Sequence, residues 1–149
     1  MGRKASKNAV ALIKKFEGCS LKAYQDSVGV WTIGYGTTNA DKEITGITIK
    51  AGTKITQKQA EKFLLKSLNK KYATKVNKYY AKYRFNQNQF DALVSFAYNI
   101  GSIDQLTAKG TRSIKVISDK ILAYDRAGGR PLAGLTRRRR AEKALFDRK

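Results

Sequence analysis

Between Phe16 and Thr38 the chain reads FEGCSLKAYQDSVGVWTIGYGTT, with one glutamate, one aspartate and a threonine inside an aromatic run. A pair of carboxylates can divide acid–base work, one protonated to donate and one ionised to accept. Glu17 falls at the end of a predicted helix, where the dipole is negative and Phe16 adds apolar cover, so the protonated form a general acid needs is favoured. A solvated last-turn glutamate is the alternative, and helix position alone favours it. Asp26 opens the turn DSVG, where bonds from backbone N–H groups suit either a structural aspartate or an ionised base. Thr32 lies on the strand VWTIGYG. Alternation puts Trp31, Ile33 and Tyr35 on a core face and Thr32, Gly34 and Gly36 on the other, either open to a ligand or marking bulges.

Other chemistries are excluded by composition. The chain has no histidine and one cysteine, Cys19. Triads and metal sites that need histidine cannot be built, nor can an intrachain disulfide or a cysteine cluster. Catalysis must rest on carboxylates, hydroxyls, Lys, Arg or Tyr. Against 11 acidic residues stand 31 Lys and Arg, a formal charge of +20. That field suits a polyanionic partner: nucleic acid, acidic lipid or an anionic polymer such as a bacterial wall.

The elements that must position these groups can be read from caps and periodicity. Ser6 caps a helix over 7–17 with Val10, Ile13 and Phe16 on one face, and Gly18 supplies the stop. Residues 21–55 read as a small antiparallel sheet with turns at DSVG and ITG. Thr56 with Gln59 forms a capping box opening a long helix over 57–80, whose stripe is Leu65, Leu68, Tyr72, Val76 and Tyr79. Asn86 with Gln89 opens a second capped helix with Phe90, Leu93, Val94 and Ala97 inward, ended by Gly101. Further helices are expected over 111–126, closed by Gly128 and Gly129, and over 136–147. The fold class is α+β in a single domain of 149 residues. A β-containing lobe (about 15–56) is joined by the bridging helix to a helical lobe (about 86–149 with the N-terminal helix).

The spacing Glu-x8-Asp-x5-Thr, within EGCSLKAYQDSVGVWTIGYG, resembles the phage-type lysozymes, the muramidases of glycoside hydrolase family 24. The likeness continues through QNQFDALVSFAYNIG and YDRAGGRPLAGLTRRRRAEKALF. It implies a lysozyme-like fold and cleavage of the β-1,4 bond between N-acetylmuramic acid and N-acetylglucosamine in peptidoglycan, without a cofactor. By the same resemblance Glu17 is the acid, and Asp26 and Thr32 position and activate water with inversion of configuration. Inversion calls for carboxylates roughly 6.5–9.5 Å apart. Tyr98 and Asn99 match positions lining the family's cleft, with Thr136 and Arg137 as weaker substrate-binding candidates; Tyr98 fits a core position equally well. The chain departs from the family at Thr37, where many members carry His, and at Asp125, where many carry Asn. Neither position belongs to the Glu-Asp-Thr set, so local stability is the property at stake.

Two other readings compete. The run Arg137–Arg140 with the Lys-rich bridging helix suits a nucleic-acid-binding module, although no base-reading motif accompanies it and arginine stems can pack and pair locally. An inactive wall-binding homologue is the third; the intact Glu-Asp-Thr set argues against it. The longest apolar run near the N-terminus, Ala9–Ile13, is too short for a signal-peptide core or a membrane span. MGRKAS fits a loose myristoylation pattern with no second anchor. The expected protein is a monomer made in the host cytoplasm. By family resemblance it reaches peptidoglycan through a holin pore, and its charge draws it to anionic wall polymers.

Overall fold

A computed structural model describes residues 2–149 of the chain; the myristoylation pattern begins on Met1 and so falls partly outside them. Helix α1 (Lys7–Phe16) starts at Ser6, whose hydroxyl accepts from the Asn8 amide. It buries Ala9, Val10 and Ile13, so the apolar run near the N-terminus is core. The stop differs from expectation. Glu17 itself turns extended, at φ −102° and ψ 142°, while its amide still donates to the Ile13 carbonyl. Gly18 contributes no left-handed cap.

The sheet is shorter than the sequence suggested. Strands β1 (Ser20–Gln25), β2 (Trp31–Gly34) and β3 (Thr37–Thr38) form one antiparallel sheet in chain order. The register slips between Ser20 and Tyr24, which adds residues to β1 and bends it. Beyond β3 the chain folds into a 3-10 turn (Asn39–Asp41) and the short helix α2 (Lys42–Thr45). Gly46, in the ITG segment read as a sheet turn, is instead the left-handed cap of α2, at φ 70°.

The bridging segment is not one regular helix: a π-helical turn interrupts it, and its last turn is separate. Its capping box forms as expected, with Thr56 and Gln59 exchanging bonds of 2.8 and 3.0 Å, and opens α3 (Gln57–Ser67). A π-helical turn (Leu68–Tyr72) follows, then α4 (Ala73–Asn77) and, after a break, α5 (Tyr80–Tyr83). The buried face explains the turn. It runs Phe63, Leu64, Leu68, Ala73, Val76, Tyr79, with one step of five that an α-helix cannot keep on one face. Tyr72, assigned to the stripe from steps of three and four, is turned out of that face and only half-buried.

Helix α6 (Gln87–Ile100) is the centre of the helical part. The Asn86–Gln89 capping box opens it and Gly101 ends it in a left-handed cap, both as read from sequence. Every residue from Phe90 to Ala97 is buried, beyond the single face expected, because α1, α4 and α8 pack around it. Helix α7 covers Ile114–Ile121, capped by Ser113, shorter than 111–126. Gly128 and Gly129 close no helix. At φ 60° and 79° they form the two-residue turn of a hairpin, β4 (Arg126–Ala127) with β5 (Arg130–Pro131). Helix α8 (Ala133–Asp147) begins three residues before Thr136. Among the described residues no helix is long and apolar enough to cross a membrane, and no three His, Cys, Asp or Glu side chains cluster as a metal site.

Candidate active site

Glu17 stands where α1 gives way to β1, and it borders two cavities. One, of about 420 Å³, opens toward the sheet and is lined by Ser20, Tyr24, Tyr35, Gly36 and Tyr98. The other, of about 840 Å³, lies toward α8 and is lined by Lys15, Asn99, Arg137, Arg138 and Arg140 among others. One carboxylate oxygen, Oε1, accepts from Arg138 Nη1 at 3.2 Å. Oε2 has no hydrogen-bond partner among the described residues. The buried guanidinium, 121 residues away, is a partner that the local sequence around Glu17 did not reveal.

Arg138 is in turn fixed. Its Nε reaches Glu142 Oε2 at 3.2 Å and its Nη2 the Ser95 carbonyl at 3.2 Å. Glu142 is fully buried; it accepts from Ser95 Oγ at 2.6 Å and pairs with Arg139, which also donates to Asn99 and to the Tyr124 carbonyl. Burial pushes the Arg139 guanidinium down from its usual pKa, and Glu142 opposes that shift. The run Arg137–Arg140 therefore divides. Arg138 and Arg139 are buried ion-pair partners, whereas Arg137 and Arg140 face the larger cavity. This leaves no continuous four-arginine surface for a nucleic acid. Sequence reasoning missed Arg138 and Glu142 as site components. The signal was present in the spacing, since Glu142 follows Arg138 by four residues and Arg139 by three.

Asp26 and Thr32 are organised by one residue, Val30. Asp26 Oδ1 accepts the Val28 and Val30 amides, both at 2.9 Å, and the Val30 carbonyl accepts the Asp26 amide and Thr32 Oγ1, also at 2.9 Å. Asp26 is exposed while Thr32 is buried. Neither lines the two cavities that Glu17 borders, but Tyr24, which pairs with Thr32 across the strands, does. The alternating faces expected along β2 are not kept. Gly34 takes φ 64° and sits against Ala60 and Ile55, so its bare side is packed. Gly36, at φ 90°, is the glycine that faces the cavity, with Tyr98 Oη 3.7 Å from where a β-carbon would sit.

Of the residues named as substrate-binding candidates, Tyr98 is both packed and cleft-lining. Its ring meets Tyr72 edge-on at 5.3 Å, and its hydroxyl donates to the Tyr35 carbonyl at 2.7 Å, tying α6 to the sheet. Burial, then the nearby Glu17 carboxylate, push its phenol up to about 12. Asn99 and Arg137 are exposed on the larger cavity. Thr136 is absent from both cavity linings and instead donates to Asp125 Oδ2 at 2.8 Å, holding the start of α8 to the preceding hairpin. That bond gives Asp125 a local role. Thr37 is buried and pairs with Ile33 beside a cavity of about 270 Å³ that also holds Asp41 and Lys71.

Known proteins resemble this chain in sequence and fold. An endolysin of Lactococcus phage c2 is 43% identical over 147 residues, covering 97% of this chain but 61% of that protein, so the chain spans less than two thirds of that relative. An endolysin of Acyrthosiphon pisum secondary endosymbiont phage 1 is 37% identical and is covered to 97% of its own length, with 95% of this chain aligned. Among solved structures, the muramidase domain of SpmX from Asticaccaulis excentricus superposes with a TM-score of 0.78 at 32% identity, over 99% of both chains. The phage lysozyme family model matches residues 14–142, a span that takes in Glu17, Asp26 and Thr32, the helix α6 that carries Tyr98, and the arginine network of α8. On the strength of this match over most of its length and of these relatives, the chain belongs to the phage lysozyme family.

Proposed function

We propose that the protein is a peptidoglycan hydrolase that cleaves the β-1,4 bond between N-acetylmuramic acid and N-acetylglucosamine, with inversion, and so lyses bacteria. The observation that carries this reading is Glu17: a carboxyl with one oxygen held by Arg138 and the other free, at the junction of two cavities. Sugar rings lie along the sheet-side cavity, where Tyr24, Tyr35 and Tyr98 offer aromatic surface and hydroxyls. Glu17 protonates the glycosidic oxygen. Asp26 and Thr32, aligned through Val30, hold and activate water on the opposite ring face. Asn99 and Arg137 contact substrate from the helical side. Names of relatives support the reading: the Lactococcus phage c2 protein is an endolysin and the Asticaccaulis excentricus structure a muramidase domain.

The chain acts as a monomer, needs no cofactor, and is drawn to anionic wall polymers by its charge of +20. It is made in the host cytoplasm and meets the wall after release through a holin pore. The test is clearance of permeabilised bacterial walls. Glu17→Gln keeps the bond to Arg138 through its amide oxygen but has no proton to give, and clearance should fall at least about a thousandfold with the fold intact. Clearance at the wild-type rate would remove Glu17 from the chemistry.

A further inference from the structure

Where β1 meets α3, five exposed lysines make no ion pair among the described residues: Lys22, Lys54, Lys58, Lys62 and Lys66. Cations beside them do. Lys14 pairs with Glu61 at 3.2 Å, Lys70 with Glu43 and Lys71 with Asp41. The five are also placed to repel one another. Lys22 and Lys54 face each other across an antiparallel bridge, where the Ala23 amide donates to the Thr53 carbonyl at 2.8 Å and the Ile55 amide to the Leu21 carbonyl at 2.9 Å. In this non-hydrogen-bonded type of pair the facing side chains come closest, and like charges there are destabilising. Two residues past Lys54, Thr56 caps α3, and Lys58, Lys62 and Lys66 follow at steps of four. Like charges at that spacing repel, and Lys58 puts a cation near a helix start that holds no acidic residue. Ala60, Phe63 and Leu64 form the buried face of α3, so the lysines point the other way, to solvent. None of the five lines a cavity that Glu17 borders.

We infer that this arc is a docking surface, outside the catalytic cleft, for a polyol chain linked by phosphodiesters, an anionic polymer of the bacterial wall. The inference rests on the reading that the chain works on bacterial walls. A step of four residues rises about 6 Å along the helix, on the scale of the separation between successive phosphates in such a chain, so consecutive phosphates can meet consecutive lysines. Lysine suits a flexible polymer, because a point charge on a mobile stem asks no fixed geometry of its partner. A phosphate set between Lys22 and Lys54, or along the stripe, turns the repulsion into attraction. The helix disfavours other polyanions by what it lacks. No aromatic or large aliphatic side chain is exposed on α3, so nucleic-acid bases find no surface to stack on and a bilayer finds no apolar face. Docking here leaves both Glu17 cavities open and holds the enzyme at the wall between cuts.

The experiment measures binding of soluble poly(glycerol phosphate) by calorimetry at physiological salt. The variant Lys54→Gln, Lys58→Gln, Lys62→Gln should bind at least about tenfold more weakly than wild type. A control, Lys7→Gln, Lys120→Gln, Lys149→Gln, removes three exposed lysines from other surfaces and should lose less than about threefold. Both variants should cleave polymer-free peptidoglycan at the wild-type rate. The first should melt no lower than wild type, because the charges it removes repel one another. On walls that carry the polymer, KM should rise about fivefold for the first variant alone. Equal losses of binding in the two variants would overturn the docking surface and leave net charge as the cause. So would tighter binding of a single-stranded oligonucleotide with the same number of phosphates, governed by the same three lysines. Binding is read without turnover, so a chain that held the polymer yet cleaved no peptidoglycan would sink the muramidase reading and leave this surface standing.

Discussion

Glu17 and the Asp26–Thr32 pair are nine and fifteen residues apart in sequence, yet they are held by opposite means. Glu17 is fixed from the far end of the chain, through a buried network in which Arg138, Glu142 and Arg139 pair and Ser95 bonds the first two. Asp26 and Thr32 are fixed by their own neighbours, through the two backbone groups of Val30. The first arrangement ties the proposed proton donor to the helical body. The second leaves an aspartate exposed on a bent hairpin. The difference assigns different vulnerabilities: damage to the network should show as lost stability, and damage to the hairpin as lost turnover.

The sharpest break is at Glu142. Glu142→Ala leaves two buried guanidiniums without their shared counter-charge, and removing one partner of such a network costs about 3–5 kcal/mol. That is a large part of the roughly 5–15 kcal/mol that holds a domain of this size. Urea denaturation measures it. Asp26→Asn, which also removes one carboxylate, keeps an oxygen for the Val28 and Val30 amides and should cost no more than about 1 kcal/mol. Equal losses in the two variants would erase the distinction between the regions.

The same contrast decides what the sequence could disclose. The three caps at Ser6, Asn86 and Thr56 were legible because each is a local exchange between a side chain and an amide two or three residues on. Asp26 as a turn former was legible for the same reason. Glu17 as the proposed acid was not. Its meaning depends on Arg138, and only resemblance to a family motif raised it above a surface charge. The π turn was hidden because Leu65, Leu68, Tyr72 and Val76 make an acceptable α-helical stripe, and only packing reveals the step from Leu68 to Ala73. Gly128 and Gly129 signal an end to helix and a tight hairpin turn equally well, so the β4–β5 hairpin was read as a helix end.

Tyr98 joins the two regions, and its titration measures how firmly. Its phenol is raised to about 12 in the folded protein, from an ordinary value near 10 in the unfolded chain. A raised folded pKa stabilises fully below pH 10, and that stability is lost as pH climbs from about 10 to 12, by about 2–3 kcal/mol. At neutral pH, Tyr98→Phe should cost about 1 kcal/mol, because the Tyr35 carbonyl loses its donor. The wild-type advantage should then shrink above pH 10 and reverse before pH 12. Taking the difference between the two proteins cancels the other tyrosines and the lysines. Parallel stability curves would mean that Tyr98 is not buried between sheet and helix.

Thr32 offers the smallest effect on stability and the finest test of the hairpin. Its hydroxyl donates to the Val30 carbonyl, but that carbonyl also accepts the Asp26 amide, so Thr32→Val strands no buried acceptor. The loss of stability should stay below about 1 kcal/mol. Turnover is another matter if the hydroxyl orients the attacking water. Thr32→Val should then lower kcat by about a hundredfold with KM nearly unchanged, since the contact is made chiefly in the transition state. Thr32→Ser should recover most of that loss, because the hydroxyl returns while only a methyl is missing. If serine falls as far as valine, packing of the buried methyl, and not the hydroxyl, is what Thr32 supplies. NMR of the first anomer released then tests the partner: water held on the face opposite Glu17 gives the α product. A β product would instead make Asp26 a nucleophile and leave Thr32 no water to orient.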